Sequence, residues 1–389
     1  MTTYARLPVC FSHGKGAQVW DNDGKQYLDA LCGIAVTGLG HAHPAVTQAL
    51  CDQAGKLIHS SNLYTVQHQQ ALADALIAKS GMDNVFFSNS GAEANEAAIK
   101  LARLFGHSKD IDQPAIVVMK NSFHGRTLAT LSATGTRKVQ AGFEPLVSGF
   151  IRVPYNDLDA INSIASHNKN VVAVLVEPVQ GEGGIQIPAP GYLQGIREIC
   201  DAHGWLMMLD EIQTGMGRSG KWFCFQHEGI QPDVMTLAKA LGNGMPIGAC
   251  LAHGKAAQLF QPGNHGSTFG GNPLACRSGL AVVEAIDTEG LVERAAELGK
   301  RILSGLQNNL ATHENVAAIR GFGLLLGIEL KHPCAELVKQ GLELGILINV
   351  TANNVIRLLP PLVLSNDEAD LIVEKVSLLV SQFSPPAAR

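Results

Sequence analysis

The chain has 389 residues, 46% hydrophobic and 16% charged, with a formal net charge of −5 and a pI near 6.3. This mild acidity excludes the basic footprint of a nucleic-acid-binding protein, and no run approaches the roughly 18–20 uninterrupted apolar residues of a membrane span. The length points to two domains, since single cores rarely grow beyond about 250–300 residues, and a mean hydropathy of +0.12 suggests apolar surface buried between subunits.

The first residues, Met1-Thr-Thr-Tyr-Ala-Arg6, have neither the apolar core of a signal peptide nor a transit-peptide character, so a cytoplasmic location is expected. Eight cysteines are scattered with no Cys-x-x-Cys spacing, which reads as reduced core thiols. Gln18-Val-Trp-Asp-Asn-Asp-Gly24 carries a hairpin signal, with the turn at Asp23-Gly24 between strand-like runs. Residues 1–50 are too few to fold alone and are expected to pack on the carboxyl-terminal domain. His41-Ala-His43-Pro44 offers two imidazoles but no Cys or carboxylate at ligand spacing, so no metal is expected.

From about residue 81 to 251, β-type apolar runs alternate with helical patterns. Residues 85–88 lead into a helix-forming stretch over 91–105. Residues 115–119, 171–176, 206–209 and 247–251 are continuous apolar runs, the mark of strands covered on both faces. The pattern predicts an α/β large domain over 51–275, with a mostly parallel central sheet flanked by helices. After Pro273 the register changes to amphipathic helices over 274–288 and 291–310, then short strands such as 324–330, predicting a smaller α+β domain over 276–389.

Four stretches carry chemistry. Ser88-Asn-Ser-Gly-Ala-Glu-Ala-Asn95 joins a strand end to a helix start, where unpaired N–H groups and the helix dipole favour a phosphate; the plain alternative is an ordinary N-cap by Ser88 or Ser90. In Asn121-Ser-Phe-His-Gly-Arg126, Phe123 can stack on a flat heterocycle and Arg126 can grip a carboxylate. Asp210-Glu211 ends an apolar strand, and Lys239 follows 239 − 210 = 29 positions on, between Ala238 and Ala240. A carboxylate at a strand end and a lysine in apolar surroundings are what pyridoxal 5'-phosphate (PLP) chemistry needs. The lysine can form a Schiff base with the aldehyde, and the carboxylate can keep the pyridine nitrogen protonated. His265-Gly-Ser-Thr-Phe-Gly-Gly-Asn-Pro273 adds the hydroxyls of Ser267 and Thr268, able to bond a substrate oxygen or a phosphate. Gly215-Met-Gly-Arg-Ser-Gly220 matches G-x-G-x-x-G, but no helix pattern follows and Glu228 stands too close, so a dinucleotide site is excluded.

With these pieces in this order, the chain resembles the class III PLP-dependent aminotransferases of fold type I. The likeness runs from Gly14-Lys-Gly-Ala-Gln-Val-Trp-Asp through Gly33-Ile-Ala-Val-Thr-Gly-Leu-Gly-His-Ala-His-Pro44 to Ile356-Arg-Leu-Leu-Pro-Pro361. It implies that Lys239 binds the cofactor covalently and that Asp210 pairs with the pyridine nitrogen. Glu211, Ile212 and Gln213 would adjoin the cofactor, Gln213 near the phenolic oxygen. Phe123 would stack on the ring, and Gly91 and Ala92 would hold the phosphate through backbone N–H groups. Thr268 would reach the phosphate from a second subunit, which implies a homodimer with shared sites. Arg126 and Ser267 would contact the substrate, Arg126 at its carboxylate. Glu182 resembles the family's switch acid, pairing with Arg357 and yielding it when glutamate arrives. The implied reaction is a ping-pong transfer of an ω-amino group from an acylated ω-amino acid to 2-oxoglutarate. The alternatives are a family member with another ω-amino donor (ornithine, succinylornithine, succinyl-diaminopimelate or 4-aminobutyrate), an intramolecular aminomutase, which needs no external oxo acid, and a non-catalytic scaffold on the same fold; a donor screen, 2-oxoglutarate dependence and a lysine-bound, coloured cofactor separate them.

Overall fold

A computed structural model describes residues 1–385. The amino-terminal strands β1 (Phe11–Lys15), β2 (Gln18–Asp21) and β3 (Gln26–Asp29) form an antiparallel meander. The turn between β2 and β3 holds Gly24 at φ +81°, a left-handed conformation that glycine adopts without steric cost.

The central sheet contains β4 (Asn84–Ser88), β5 (Ala115–Met119), β6 (Phe150–Val153), β7 (Val171–Val176), β8 (Leu206–Asp210), β9 (Val234–Leu237) and β10 (Gly248–Ala252). Its order is β4-β10-β9-β8-β7-β5-β6. Strands β5 to β9 pair in parallel, whereas β10 lies antiparallel between β9 and β4. The sheet is mostly parallel with one reversed strand. Every residue of β10 is buried, like those of β7 and β8, so a continuous apolar run marks two covered faces without revealing strand direction.

Side chains of β8 alternate between the two covering layers, as the pleat requires. Leu206 and Met208 join the cluster of helix Gly91–His107, whose Ala97, Ala98 and Ala102 permit close approach. Met207 and Leu209 face the opposite cluster, with Leu193, Ile196 and Cys200 of helix Tyr192–His203.

A further sheet, ordered β11-β12-β15-β14, is built from β11 (Val316–Phe322), β12 (Leu325–Leu330), β14 (Asn349–Thr351) and β15 (Val355–Leu358). Helices Leu291–Leu310 and Asn366–Ser381 pack on each other, and the first of them on this sheet, through apolar stripes that include Leu298, Ile302, Ile372 and Val376. The short β13 (Ile346–Leu347) leaves it and adds to β3 in parallel, with Ile346 opposite Leu28. The amino-terminal meander is thereby completed by a strand from near the other end of the chain.

Strands β5, β7, β8 and β9 run one way, and so does β4, on the far side of the reversed β10. Their carboxyl ends share an edge, which is where open α/β sheets gather their ligand-binding loops. Among the described residues no helix is long and apolar enough to cross a membrane. His41 Nε2 lies 2.8 Å from Asp29 Oδ2, and His43 Nε2 lies 3.2 Å from Glu289 Oε1.

Candidate active site

The strand ends at this edge surround a cavity of about 380 Å³. Asp210, the last residue of β8, is only 4% exposed. Its Oδ2 accepts from Asn95 Nδ2 at 2.8 Å and lies 2.8 Å from His124 Nδ1, while Oδ1 accepts from the backbone N–H of Ile212 at 3.2 Å. Asn95 is itself fixed by Thr236 of β9, whose hydroxyl donates to Asn95 Oδ1 at 2.7 Å. Three elements therefore orient one buried carboxylate, and the hydrogen bonds offset the cost of desolvating it.

Lys239 follows β9 and lines the same cavity. Its backbone sits at φ +46°, a conformation that costs a non-glycine residue about 1–2 kcal/mol and is held by the bond from Gly242 N–H to Lys239 O at 3.2 Å. Burial lowers the ammonium's pKa, and the positive charge of Arg357 lowers it further, against the opposing pull of Glu182, Asp210 and Glu177. The neutral amine, which attacks carbonyls and accepts protons, is correspondingly favoured.

At the start of helix Gly91–His107, Ser90 Oγ accepts from Glu93 N at 3.2 Å, and Glu93 Oε2 accepts from Asn89 N at 2.8 Å. This leaves the N–H groups of Gly91 and Ala92, which have no intrahelical acceptor, at the cavity wall. A β-carbon on Gly91 would lie 2.7 Å from Ile212 Cδ1, so any larger residue there would displace the Ile212 side chain. Phe123 lies beneath the Arg126 guanidinium, 5.5 Å from ring centroid to Cζ, and both line the cavity, as does Gln213. The Oε1 atom of Gln213 and the Nε2 atom of His124 are buried without a hydrogen-bond partner among the described residues.

Glu182 also lines the cavity, and its Oε1 accepts from Arg357 Nη1 at 2.7 Å. Arg357, on β15, is fully buried, and its Nε donates to Asn349 Oδ1 at 3.1 Å. The carboxyl-terminal sheet thus reaches the site through Arg357, behind the lining residue Glu182.

Four of the residues expected at the site stand outside the cavity lining: Arg357, which reaches it only through Glu182, and Glu211, Ser267 and Thr268. The Glu211 carboxylate turns away from the cavity, accepting from Thr214 Oγ1 at 2.6 Å and from the N–H groups of Cys224 and Phe225 at 2.8 and 2.9 Å. Neighbouring side chains at a strand end point to opposite faces, so adjacency to Asp210 takes Glu211 away from the cavity. Ser267 Oγ accepts from Asn89 Nδ2 at 3.2 Å and Gly270 N at 2.9 Å, beside the site but not in its lining. Thr268 is exposed on the surface.

Burial pushes the Glu211 carboxyl up to about 7 despite its three donors. A folded-state value above the unfolded one contributes stability that is complete below the unfolded value of about 4.5 and is lost as pH rises through about 7. The melting temperature of the protein, referred to that of Glu211→Gln, is therefore expected to fall between about pH 5 and 7 and to level off above. Parallel pH profiles for the two proteins would contradict this.

Glu177 went unnoticed in the sequence, although it follows the apolar β7 as Asp210 ends β8. Its carboxylate accepts from Phe123 N at 2.9 Å and Gly181 N at 3.2 Å, tying two site loops together. Burial raises its pKa, the nearby His124 opposes this, and Asp210 adds to it. Asn95 and His124 also lacked an assigned role, because only the fold brings them to Asp210.

A helix start with unclaimed N–H groups, an aromatic ring, a buried acid, an unpartnered amide oxygen and a lysine of lowered pKa thus meet in one cavity, and this donor set fits PLP. The family Aminotransferase class-III matches residues 2–380. The chain is 57% identical to the acetylornithine aminotransferase of Nitrosomonas europaea, over 98% of each chain. Among solved structures, an ornithine aminotransferase of Toxoplasma gondii, with PLP at partial occupancy in its active site, superposes with a TM-score of 0.94 at 35% identity, covering 97% of this chain and 91% of that one. The acetylornithine aminotransferase of Elizabethkingia anophelis gives 0.88 at 35% identity, covering 98% and 96%. Fold, cavity and full-length similarity converge: this chain belongs to the class III aminotransferases, enzymes that use pyridoxal 5'-phosphate.

Proposed function

We propose that the protein transfers the δ-amino group of N2-acetyl-L-ornithine to 2-oxoglutarate, giving N-acetyl-L-glutamate 5-semialdehyde and L-glutamate, a step of arginine biosynthesis. The observation that carries a two-substrate reaction is Glu182 at the cavity wall, paired with the buried Arg357 behind it, an arginine whose partner a second substrate's carboxylate can replace. The acetylated donor is supported by the acetylornithine aminotransferases at 57% and 54% identity.

Bound PLP supplies an electron-withdrawing ring that stabilises negative charge on the carbon bearing the amine. Lys239 would hold the aldehyde end and, once displaced by the substrate amine, carry the proton at the reacting carbon as a neutral base. Asp210, backed by His124 and Asn95, would keep the ring nitrogen protonated. Gly91 and Ala92 would hold the phosphate at the helix start. Phe123 and Ile212 would supply apolar contact and Gln213 a polar one. Arg126 and Ser267 would orient the substrate, Arg126 at its carboxylate.

A homodimer belongs to the same proposal. Asn62 Nδ2 donates to the carbonyls of Ser267 and Gly270, joining the 57–64 and 267–271 segments on one surface. There Leu63, Tyr64 and Phe269 are 86%, 70% and 61% exposed, next to Thr268. Apolar side chains gathered in this way mark an interaction surface, and a second copy covering them would bring Thr268 towards the partner's site. Eight unpaired cysteines suit a reducing, cytoplasmic setting.

A donor screen with 2-oxoglutarate as acceptor tests the assignment. Acetylornithine is expected to give the highest kcat/KM among acetylornithine, ornithine, succinylornithine, succinyl-diaminopimelate and 4-aminobutyrate; another donor ahead of it would move the protein elsewhere in the family.

A further inference from the structure

Glu182 is held against Arg357 by more than its own carboxylate. Its segment, Gly181-Glu-Gly-Gly184, follows β7, yet the backbone carbonyls of Glu182, Gly184 and Ile185 accept from side chains of the carboxyl-terminal sheet. Thr351 Oγ1, at the end of β14, donates to the carbonyl of Glu182. Arg320, on β11, donates from Nε to the carbonyls of Gly184 at 3.1 Å and Ile185 at 2.7 Å, and from Nη2 to that of Gly184 at 2.5 Å. Its remaining nitrogen, Nη1, lies 2.6 Å from Glu329 Oε2 on the neighbouring β12. Glu329 thereby balances the charge of Arg320, leaving the guanidinium to act on the loop as a directional donor.

The Glu182 carboxylate has Arg357 Nη1 as its recorded partner. A substrate carboxylate arriving at the same buried guanidinium meets Glu182 as a like-charged competitor. Whatever fixes the backbone beneath Glu182 strengthens that competitor.

We propose that Arg320 and Thr351 form a latch on the 181–185 turn that sets how readily Glu182 yields Arg357, and so tunes recognition of a dicarboxylate substrate. Both are positioning residues, acting through Glu182. The proposal rests on reading the Glu182–Arg357 pair as the point where a substrate carboxylate is exchanged. It has a directional consequence: loosening the latch weakens a competitor, so dicarboxylates bind more tightly, whereas general damage to the site would weaken every ligand.

Calorimetric titration of the holoenzyme with glutarate, an unreactive five-carbon dicarboxylate, tests this. In Arg320→Met the dissociation constant is expected to fall roughly three- to tenfold, the range spanned by one or two net hydrogen bonds. Arg320→Lys, which keeps the charge but not the fork, is expected between this variant and wild type. Thr351→Val, nearly isosteric, is expected to tighten binding roughly twofold, and Glu182→Ala to tighten it most. The KM of the amine donor does not fall in parallel. If Glu182→Ala tightens glutarate while neither Arg320→Met nor Thr351→Val does, the latch is overturned and the exchange reading stands. If Glu182→Ala fails to tighten it, the exchange reading falls and takes the latch with it. Should Arg320→Met not fold, Thr351→Val decides alone.

Discussion

Lys239→Ala is expected to lower the rate of amino transfer roughly 10⁴-fold or more, because the proposed function gives this one side chain two tasks that the remaining residues cannot share. It is the lysine at the cavity wall, and burial with the nearby Arg357 lowers its pKa, so its amine is available as nucleophile and base. Alanine keeps the backbone turn but removes the amine, so binding of the phosphate end at Gly91 and Ala92 should survive while chemistry fails. Single-turnover rates measure the loss. Borohydride reduction followed by peptide mass analysis adds an independent readout: the wild-type peptide containing Lys239 should carry a phosphopyridoxyl group, and the variant should carry none. An adduct on a different lysine, or a rate within tenfold of wild type, would remove Lys239 from both roles.

The second large effect is expected for Asp210→Asn. The substitution preserves shape and leaves His124, Asn95 and the Ile212 N–H in place as potential partners, so the fold should persist. What it removes is a fixed negative charge in a buried site, where preorganised electrostatics act most strongly; a fall in kcat of roughly 10²–10³-fold is expected. Donor KM should change far less, since Arg126 and the Glu182–Arg357 pair are untouched. A kcat within fivefold of wild type would show that the acid does not hold the cofactor's ring nitrogen.

Asp210 and the Ser90–Gly91 helix start were legible in the sequence because each stands where an apolar strand pattern stops, and strand ends are where this architecture exposes side chains; Lys239 was legible from its alanine neighbours and its spacing from Asp210, although the strand before it, Val234–Leu237, was not. The same logic applied to Val171–Val176 points at Glu177, which was overlooked. Glu211 shows the limit of adjacency: the pleat sends it to the opposite face, into hydrogen bonds with Thr214, Cys224 and Phe225. The direction of β10 was not legible, since burial on both faces produces the same composition whichever way a strand runs. Nor were the contacts of Arg320 and Thr351, because a guanidinium that binds carbonyl groups more than 130 residues away leaves no local pattern.

The site is assembled from two sources. Asp210, Lys239, Phe123 and Gly91 hang from the ends of central-sheet strands, whereas Arg357, Asn349, Thr351 and Arg320 belong to the carboxyl-terminal sheet. The two meet at the 181–185 turn, and again where Arg218 exchanges hydrogen bonds with Leu324 and His227 packs on Phe322. On the proposed roles, divergence can proceed by parts: substitutions in the carboxyl-terminal sheet would redraw which acids are accepted while the residues proposed to grip the cofactor stay intact. Descendants of one ancestral chain could thus acquire new substrates without passing through an inactive intermediate.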